Sequence, residues 1–435
     1  METYKYLFFF LFFSIFLYPL DLKIASYNVE NLFDMEYSGH EYDSYIPNKH
    51  GWNHQNFSKK ILNTSEVICD VNADIIGLQE VENENVLKLL QSLLRKVGCD
   101  YDYFAITHKK GSAIQVALLS KYPIAGIHEI VVDPSLGYRN ILEVKYLFNR
   151  RPLFVYVNHW KSKASPESSR MLSAKRLFLH LRLLPKKSEY ILLGDFNSDY
   201  DEYLHIEEKH NDQNGKTGIN HILKTVNSKG EFIRPSTIVS HHFEHYNLWL
   251  ELFNYKRWSH NFYGNKQGLD AILLPSTLFD KKGVEYIDGS FRVFKKHYLF
   301  HKKGYIFRWA YKNKEHQGVG YSDHLPLVAS FSTSKPFKET STAIHEGTIE
   351  DIYRKKTTFP LCLKEVKVVR REKKKIRIRG VNSKISVAIY GVKKRLRLGK
   401  RYDICIYGRK RYQGHYEIVD FEVKNSYDNS IKKKD

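Results

Sequence analysis

With 435 residues the chain has room for more than one domain, and 42% hydrophobic with 14% aromatic residues is enough to build a core, which excludes disorder of the chain as a whole. Its net charge of +21 favours a polyanionic partner, either nucleic acid or an anionic membrane surface, and +15 of that charge lies in residues 345–435. Four cysteines without a C-x-x-C pair exclude a disulfide-framework fold.

Residues 1–20 hold one cation, Lys5, then an apolar run from Leu7 to Tyr18 broken only by Ser14. The run is shorter than the roughly 20 apolar residues of a membrane span and fits an export signal. Residues 1–21 are therefore read as a signal sequence, and the protein as secreted or periplasmic. Bulky Leu17, Tyr18, Pro19 and Leu20 leave the cleavage site undefined, so an uncleaved N-terminal anchor is the alternative and the one route to a membrane.

Beyond it, an apolar strand at 23–29 ends near Asn28. A polar loop at 33–57 and a helix at about 58–71 lead to a second strand, 73–80, which ends in Glu80. Val86, Leu87, Leu89, Leu90, Leu93, Leu94 and Val97 have helical spacing, so 83–97 is an amphipathic helix. Strands follow at 113–120, 127–132 and 141–147, with Arg139 in the turn before the last. The strand 153–159 ends in His159, with Lys161 and Lys163 just after it. Ser165-Pro166-Glu167 opens a helix that runs to about 184.

The apolar stretch Ile191-Leu192-Leu193 then runs into Gly194-Asp195-Phe196-Asn197. Farther on, His241-His242-Phe243-Glu244-His245 has zinc-like spacing, but solvated loop histidines are the expectation there. Residues 247–263, with Trp249, Phe253, Trp258 and Phe262, read as a packed aromatic segment, with core the expectation and a base-stacking platform the alternative. Asp270 heads a strand at 268–274, and Asp323-His324 precede another at 325–331. The cysteines pair conceivably as Cys69 with Cys99 and Cys362 with Cys405, but Cys is also an ordinary small buried hydrophobe, and unpaired thiols are the expectation.

A single Asp-x-Asn after a strand is an ordinary turn signal. Six apolar strands that each carry Asn, Glu, His or Asp at one end are not, because side chains at strand ends converge on a shared cleft. In chain order, Asn28 in Ser26-Tyr27-Asn28-Val29-Glu30-Asn31-Leu32, Glu80 in Leu78-Gln79-Glu80-Val81, Asn158-His159, Gly194-Asp195-Phe196-Asn197, Leu269-Asp270-Ala271-Ile272-Leu273 and Ser322-Asp323-His324-Leu325-Pro326 resemble the motifs of the endonuclease/exonuclease/phosphatase superfamily. That group is related to pancreatic deoxyribonuclease and includes abasic-site endonucleases, sphingomyelinases and inositol polyphosphate phosphatases. The resemblance covers roughly residues 22–334. It implies an α/β fold, a four-layer sandwich of two packed mixed sheets flanked by helices.

The resemblance also implies metal-dependent phosphodiester hydrolysis. Hard cations take oxygen ligands, which makes Glu80 the natural ligand of Mg²⁺ or Mn²⁺, with Ca²⁺ the other candidate; Asn28 lies beside it and Asp323 is a further one. By the same resemblance His324 acts as base or holds the phosphate, and Asp270 fixes an imidazole. Asp195 orients or deprotonates water, Asn197 donates to developing charge, and His159 contacts a phosphate oxygen or assists the leaving group. Arg139, Lys161 and Lys163 suit a charged backbone. The extended Asp-x-Asn motif and the Trp-Cys-Asp-Arg segment of the inositol phosphatases are absent from the sequence.

Residues 332–358 read as a linker, with the catalytic domain closing at 334. Strands at 361–369, 375–379, 385–390, 403–407 and 416–423 then predict a small all-β OB-like barrel over 359–426, followed by a polar tail at 427–435. Alternation places Lys375, Arg377 and Arg379 on one strand face, near Arg409, Lys410 and Arg411. These cations either bind nucleic acid or protect strands from edge pairing. The expectation is an exported nuclease acting on DNA, and on RNA as the related polymer, with a lipid or small-phosphoester phosphodiesterase as the alternative. Nothing in the sequence points to a protein partner.

Overall fold

The computed structural model describes residues 20–427 apart from 136, 240–242, 263, 339–344, 355, 373–374 and 391–395. The expected export signal falls outside these residues up to position 19, and Asp21 already pairs with Ser332 in the first strand. The histidine pair 241–242 and the tail beyond 427 also lie outside them. Among the described residues no helix is long and apolar enough to cross a membrane.

Two sheets form the centre of residues 20–337. In the first, β1 (Asp21–Leu32) lies between antiparallel Leu327–Ser332 and parallel β2 (Ile75–Val81), and β3 (Tyr103–Ile106) and β4 (Gln115–Ser120) extend it beyond β2. In the second, β5 (Gly126–Ile130), β6 (Ile141–Phe148), β7 (Arg151–His159) and β8 (Glu189–Asp195) run in order, followed by Asp270–Pro275 and β9 (His245–Asn247). β7 and β8 are parallel and the other pairs antiparallel. Helices α1 (His54–Val71) and α2 (Glu84–Lys96) cover the first sheet, and α3 (Glu167–Leu181) the second. This is the four-layer α/β sandwich expected.

Period-2 alternation decides which layer each side chain enters. Along β1, Leu22 and Ile24 pack between the sheets, whereas Ala25, Tyr27 and Val29 pack under the helices. On β2, Gly77 takes an inter-sheet position; a Cβ there would fall 2.5 Å from Leu193 Cδ1 and 3.1 Å from Val157, so only glycine lets the sheets approach this closely. Both long helices start at an Asn cap: Asn53 accepts from Asn56 N–H and Asn83 from Val86 N–H, each cap contributing about 1 kcal/mol. The Asn53 cap is why α1 begins four residues earlier than the sequence suggests.

The expectation of unpaired cysteines is corrected. Cys69 on α1 is bonded to Cys99 beyond α2, and Cys362 to Cys405. Packing of α1 beside α2 and a direct cross-strand register bring the pairs together.

The expected linker is mostly structured too. Phe337 packs on Phe279 with ring centroids 4.8 Å apart. His345–Gly347 pairs with the next strand, and Ile349 and Ile352 are buried in the second core. Its short length and mixed composition gave that strand no periodic signal. Beyond it, β-strands Leu361–Arg371, Lys375–Arg379, Val387–Tyr390, His415–Tyr427 and Arg401–Tyr412 are hydrogen-bonded in that spatial order. The last returns to pair with the first and closes a five-stranded barrel. Ile376 and Ile378 point into its core, which leaves Lys375, Arg377 and Arg379 on the outer face.

The barrel docks on the sandwich through Arg257, whose guanidinium makes two 3.1 Å bonds to the Asp420 carboxylate, both groups being buried. Beside this pair Arg234 lies 4.5 Å over the Tyr407 ring, and Phe253 covers Gly408. Phe253, expected in the core, is instead 38% exposed at this junction.

Candidate active site

Hydrogen-bonded register places the site. His159 on β7 is abreast of Asp195 on β8, and Asp195 is abreast of Asp270 on the neighbouring strand. Val157 and Leu193 face the inter-sheet layer at Gly77, so His159 and Asp195, two residues on, emerge on the same side at the strand ends. From the opposite sheet Asn28 continues the face of Ile24 and reaches across: its amide donates to Asp195 Oδ2 at 3.1 Å and to Glu80 Oε1 at 3.0 Å. Glu80 holds a left-handed backbone (φ 68°) at the break in the β1–β2 register, as do nearby Glu30 and Asn31 (φ 54° and 58°). Non-glycine residues kept in this region cost of order 1 kcal/mol or more each, and such positions cluster at functional sites.

His324 is held from behind. Its Nδ1 is 2.8 Å from Asp270 Oδ2, which also accepts from the Ser259 hydroxyl. Its Nε2 therefore faces the site, 3.9 Å from Asp195 Oδ2, and the His159 Nε2 lies 3.8 Å from both Asp195 Oδ2 and Glu80 Oε1. Asp195 Oδ1 accepts from Asn197 N–H at 2.8 Å, and one Asn197 amide hydrogen is bound to the Trp160 carbonyl. Of these groups Glu80, with a side chain 18% exposed, is among the most open to solvent.

Burial and neighbouring charge separate the protonation states. Burial alone would push the His324 imidazolium down, but the Asp270, Asp195 and Asp323 carboxylates together hold it well above the usual histidine range. His159 goes the other way: burial, then the charges of Arg139 and His324, push it well below and keep it neutral. Burial raises Asp195 to about 7 against the pull of His324. Asp323 is held well below the usual carboxylate range by His260, His324 and Arg308, despite burial that acts in the opposite direction.

The expected metal ligands are not brought together as one set. Glu80 groups with His159 and Asp195, their ligating atoms all within 4.8 Å, whereas Asp323 groups with His260 and His324. Asn28 turns its NH₂ toward the carboxylates because its oxygen accepts from Glu30 N–H at 3.0 Å. A divalent cation fits at Glu80. Its partners there, the Asn28 amide and the Asn31 N–H, are neutral donors, and a hard cation that keeps several waters needs only one or two carboxylates.

Among the expected phosphate-binding cations, Arg139 donates to the carbonyls of His159 and Trp160 and braces the loop after β7. Lys163 is committed to Asp199 at 3.1 Å and Glu202 at 2.6 Å. Lys161 lies 5.5 Å over the Tyr138 ring. On the barrel, Lys375 and Arg377 sit 3.8 and 3.6 Å from Glu372, and Arg409 stacks 4.0 Å over Tyr416, whereas Arg379 and Arg411 are exposed.

Sequence reasoning missed five groups. His260 packs against His324, ring centroids 4.7 Å apart and tilted by 42°, and approaches Asp323 at 3.6 Å. Ser259 holds Asp270, and Arg308 joins Glu30, whose carboxylate also accepts Asp323 N–H at 2.9 Å. Buried Lys60 on α1 ties Val29 to Tyr321 through their carbonyls, at 2.8 and 2.9 Å. Arg308 comes from an irregular segment, and His260 opens a strand, His260–Phe262, too short to show a period. Glu30 did have a signal, since it stands two residues after Asn28 inside the first motif.

Several solved structures are similar to this chain. D. rerio TDP2 in complex with single strand DNA product is 15% identical with a TM-score of 0.46, over 72% of this chain and 98% of that one. A Leptotrichia buccalis C-1013-b endonuclease/exonuclease/phosphatase family protein is 17% identical with a TM-score of 0.43, over 71% and 99%. One from Bacteroides thetaiotaomicron is 15% identical with a TM-score of 0.44, over 73% and 100%. No curated protein matches the sequence. The model of the Endonuclease/Exonuclease/phosphatase family matches residues 23–332, the whole sandwich with every strand-end residue of the site, and the chain belongs to that family.

Proposed function

We propose that the protein is an exported, Mg²⁺-dependent endonuclease that hydrolyses phosphodiester bonds of DNA, and of RNA by the same chemistry, with little sequence preference. The observation that carries this reading is the convergence of Glu80, His159, Asp195 and His324 from two sheets at one end of the sandwich. A protonated His324, fixed by Asp270, presents Nε2 to a phosphate oxygen. Asp195, held by Asn28 and Asn197 N–H, orients the attacking water or takes its proton. Neutral His159 stands on the opposite side of Asp195 and contacts a second phosphate oxygen or the leaving group. Glu80 would hold the divalent cation, with His159 and Asp195 beside it. That cation, when bound, neutralises charge on the phosphate and on the departing oxygen.

The charge of +21 supports a polymeric anion as substrate, since distributed Lys and Arg contacts give affinity without base readout. The test is hydrolysis of plasmid DNA and of sphingomyelin side by side by the chain from Leu22 on, each with Mg²⁺ and with EDTA. Metal-dependent nicking and degradation of plasmid is expected. Lipid turnover with intact plasmid would overturn the nuclease assignment.

A further inference from the structure

The segment from Phe253 to His260 joins the barrel interface to the catalytic centre within eight residues. At one end Phe253 and Tyr255 stack, ring centroids 6.0 Å apart and 13° from parallel, and are 38% and 41% exposed. Lys256 lies 5.6 and 5.7 Å over these two rings. Lys410 of the barrel lies near the same Tyr255 ring at 5.8 Å and over two further rings, Tyr390 and Tyr412 of the barrel, at 4.5 and 5.5 Å. Tyr390 and Tyr412 are 37% and 52% exposed. Rings from both halves of the molecule thus share one patch, and the buried Arg257–Asp420 pair beneath it fixes their relative position.

Toward the catalytic centre, Lys295 and Lys266 stand 3.9 and 4.3 Å over the Trp258 ring. Trp258 is two residues from His260, whose ring packs tilted against His324. No ion pair involves Lys256, Lys266 or Lys295 among the described residues, so three clustered ammonium groups lack a carboxylate counter-charge. Tyr255 and His260 are five residues apart, which caps their Cα separation at about 18 Å even in a fully extended chain.

Lys410 also meets Glu417 at 3.7 Å, and Trp258 is buried beneath its two lysines, which leaves the exposed rings for base faces and Lys256, Lys266 and Lys295 for phosphates. Exposed rings beside lysines without a counter-charge are what an unpaired nucleic-acid strand requires: phosphates meet the ammonium groups, and base faces, hidden in a duplex, meet the rings. We propose that a single-stranded nucleic acid is gripped on this composite surface, running from the lysines over Trp258 onto Phe253, Tyr255, Tyr390 and Tyr412. The inference rests on the nuclease reading and adds to it which form of the polymer is held, and by which residues. The barrel then contributes directly to substrate binding through rings that complete a surface begun by the sandwich.

The test uses the full chain in a His324→Ala background, so that the probe is not consumed. A fluorescein-labelled thymidine oligonucleotide and a duplex of equal length are titrated and followed by anisotropy. Tyr255→Ala, Tyr390→Ala and Tyr412→Ala are each expected to weaken single-strand binding about tenfold and duplex binding much less. Tyr412→Phe, which keeps the ring, is expected to restore single-strand affinity. Unchanged single-strand affinity in all three alanine variants, or equal losses on both probes, would overturn the proposal. Hydrolysis of the same oligonucleotide by the unaltered chain is measured separately. No cleavage of the oligonucleotide or of plasmid DNA defeats the nuclease reading, whereas cleavage with unaltered binding in the variants defeats the composite surface alone.

Discussion

In the sandwich, Asp195, Asp270 and His324 are 2%, 1% and 6% exposed, and each is oriented by another polar group. In the barrel, Arg379 and Arg411 stand in solvent on strands whose inward residues, such as Ile376 and Ile378, are buried. Charge taken out of water must be compensated in place, which fixes geometry and shifts protonation; charge left in water is screened and acts by number. The first arrangement suits chemistry on one phosphate and the second suits holding a polymer of many.

The comparison breaks most visibly if buried groups prove dispensable. His324→Ala or Glu80→Gln should lower turnover of plasmid DNA by about 10³-fold, the scale of losing a general acid-base or charge-stabilising group, in variants whose circular dichroism still reports the native fold. Retained turnover in both would remove the site assignment. Next in size is the contact between the halves. Arg257→Ala leaves Asp420 buried without its partner and should cost about 3–5 kcal/mol, read as a lower midpoint in chemical denaturation. Asp420→Asn with Arg257→Ala should recover part of that loss.

A smaller effect concerns Glu189, which burial raises to about 7 although Val284 N–H donates to it. A carboxyl raised in the folded state contributes stability that is complete below its unfolded value and is lost as pH rises through 7. Glu189→Gln does not ionise, so its melting temperature relative to the unaltered chain should increase between pH 5 and pH 8, by the equivalent of about 2 kcal/mol. An offset independent of pH would contradict the assignment. Smallest of all, Arg379→Ala and Arg411→Ala should each reduce the salt slope of DNA binding by about one, measured as log Kd against log salt. An unchanged slope would mean that these exposed cations meet no phosphate.

The sandwich was legible wherever a strand is an apolar run with one polar residue at its end. Asn28, Glu80, His159, Asp195 and Asp270 all have that form, and parity along the strand decides that they face one another, except for Glu80, which the left-handed break in register turns into the site from the helix-side face of Ile76 and Leu78. His260, at the head of a three-residue strand, and Arg308, on irregular backbone, reach the same centre where no period announces direction. Lys163 shows a different limit: a lysine after a catalytic strand looks available for phosphate until Asp199 and Glu202 are seen to close on it. The barrel strands were legible from alternation, as in Lys375–Arg379. The short strand His345–Gly347 was not, because three residues are too few to alternate. Both disulfides depend on packing between elements, which spacing along the chain does not report.

His159, Asp195 and Asp270 hang from three adjacent strands locked in one ladder. A local fluctuation does not separate them, because moving one strand end breaks bonds to its neighbours on both sides. The amides of β8 should therefore exchange with solvent deuterium only through whole-domain opening, and loss of activity in denaturant should coincide with loss of structure rather than precede it.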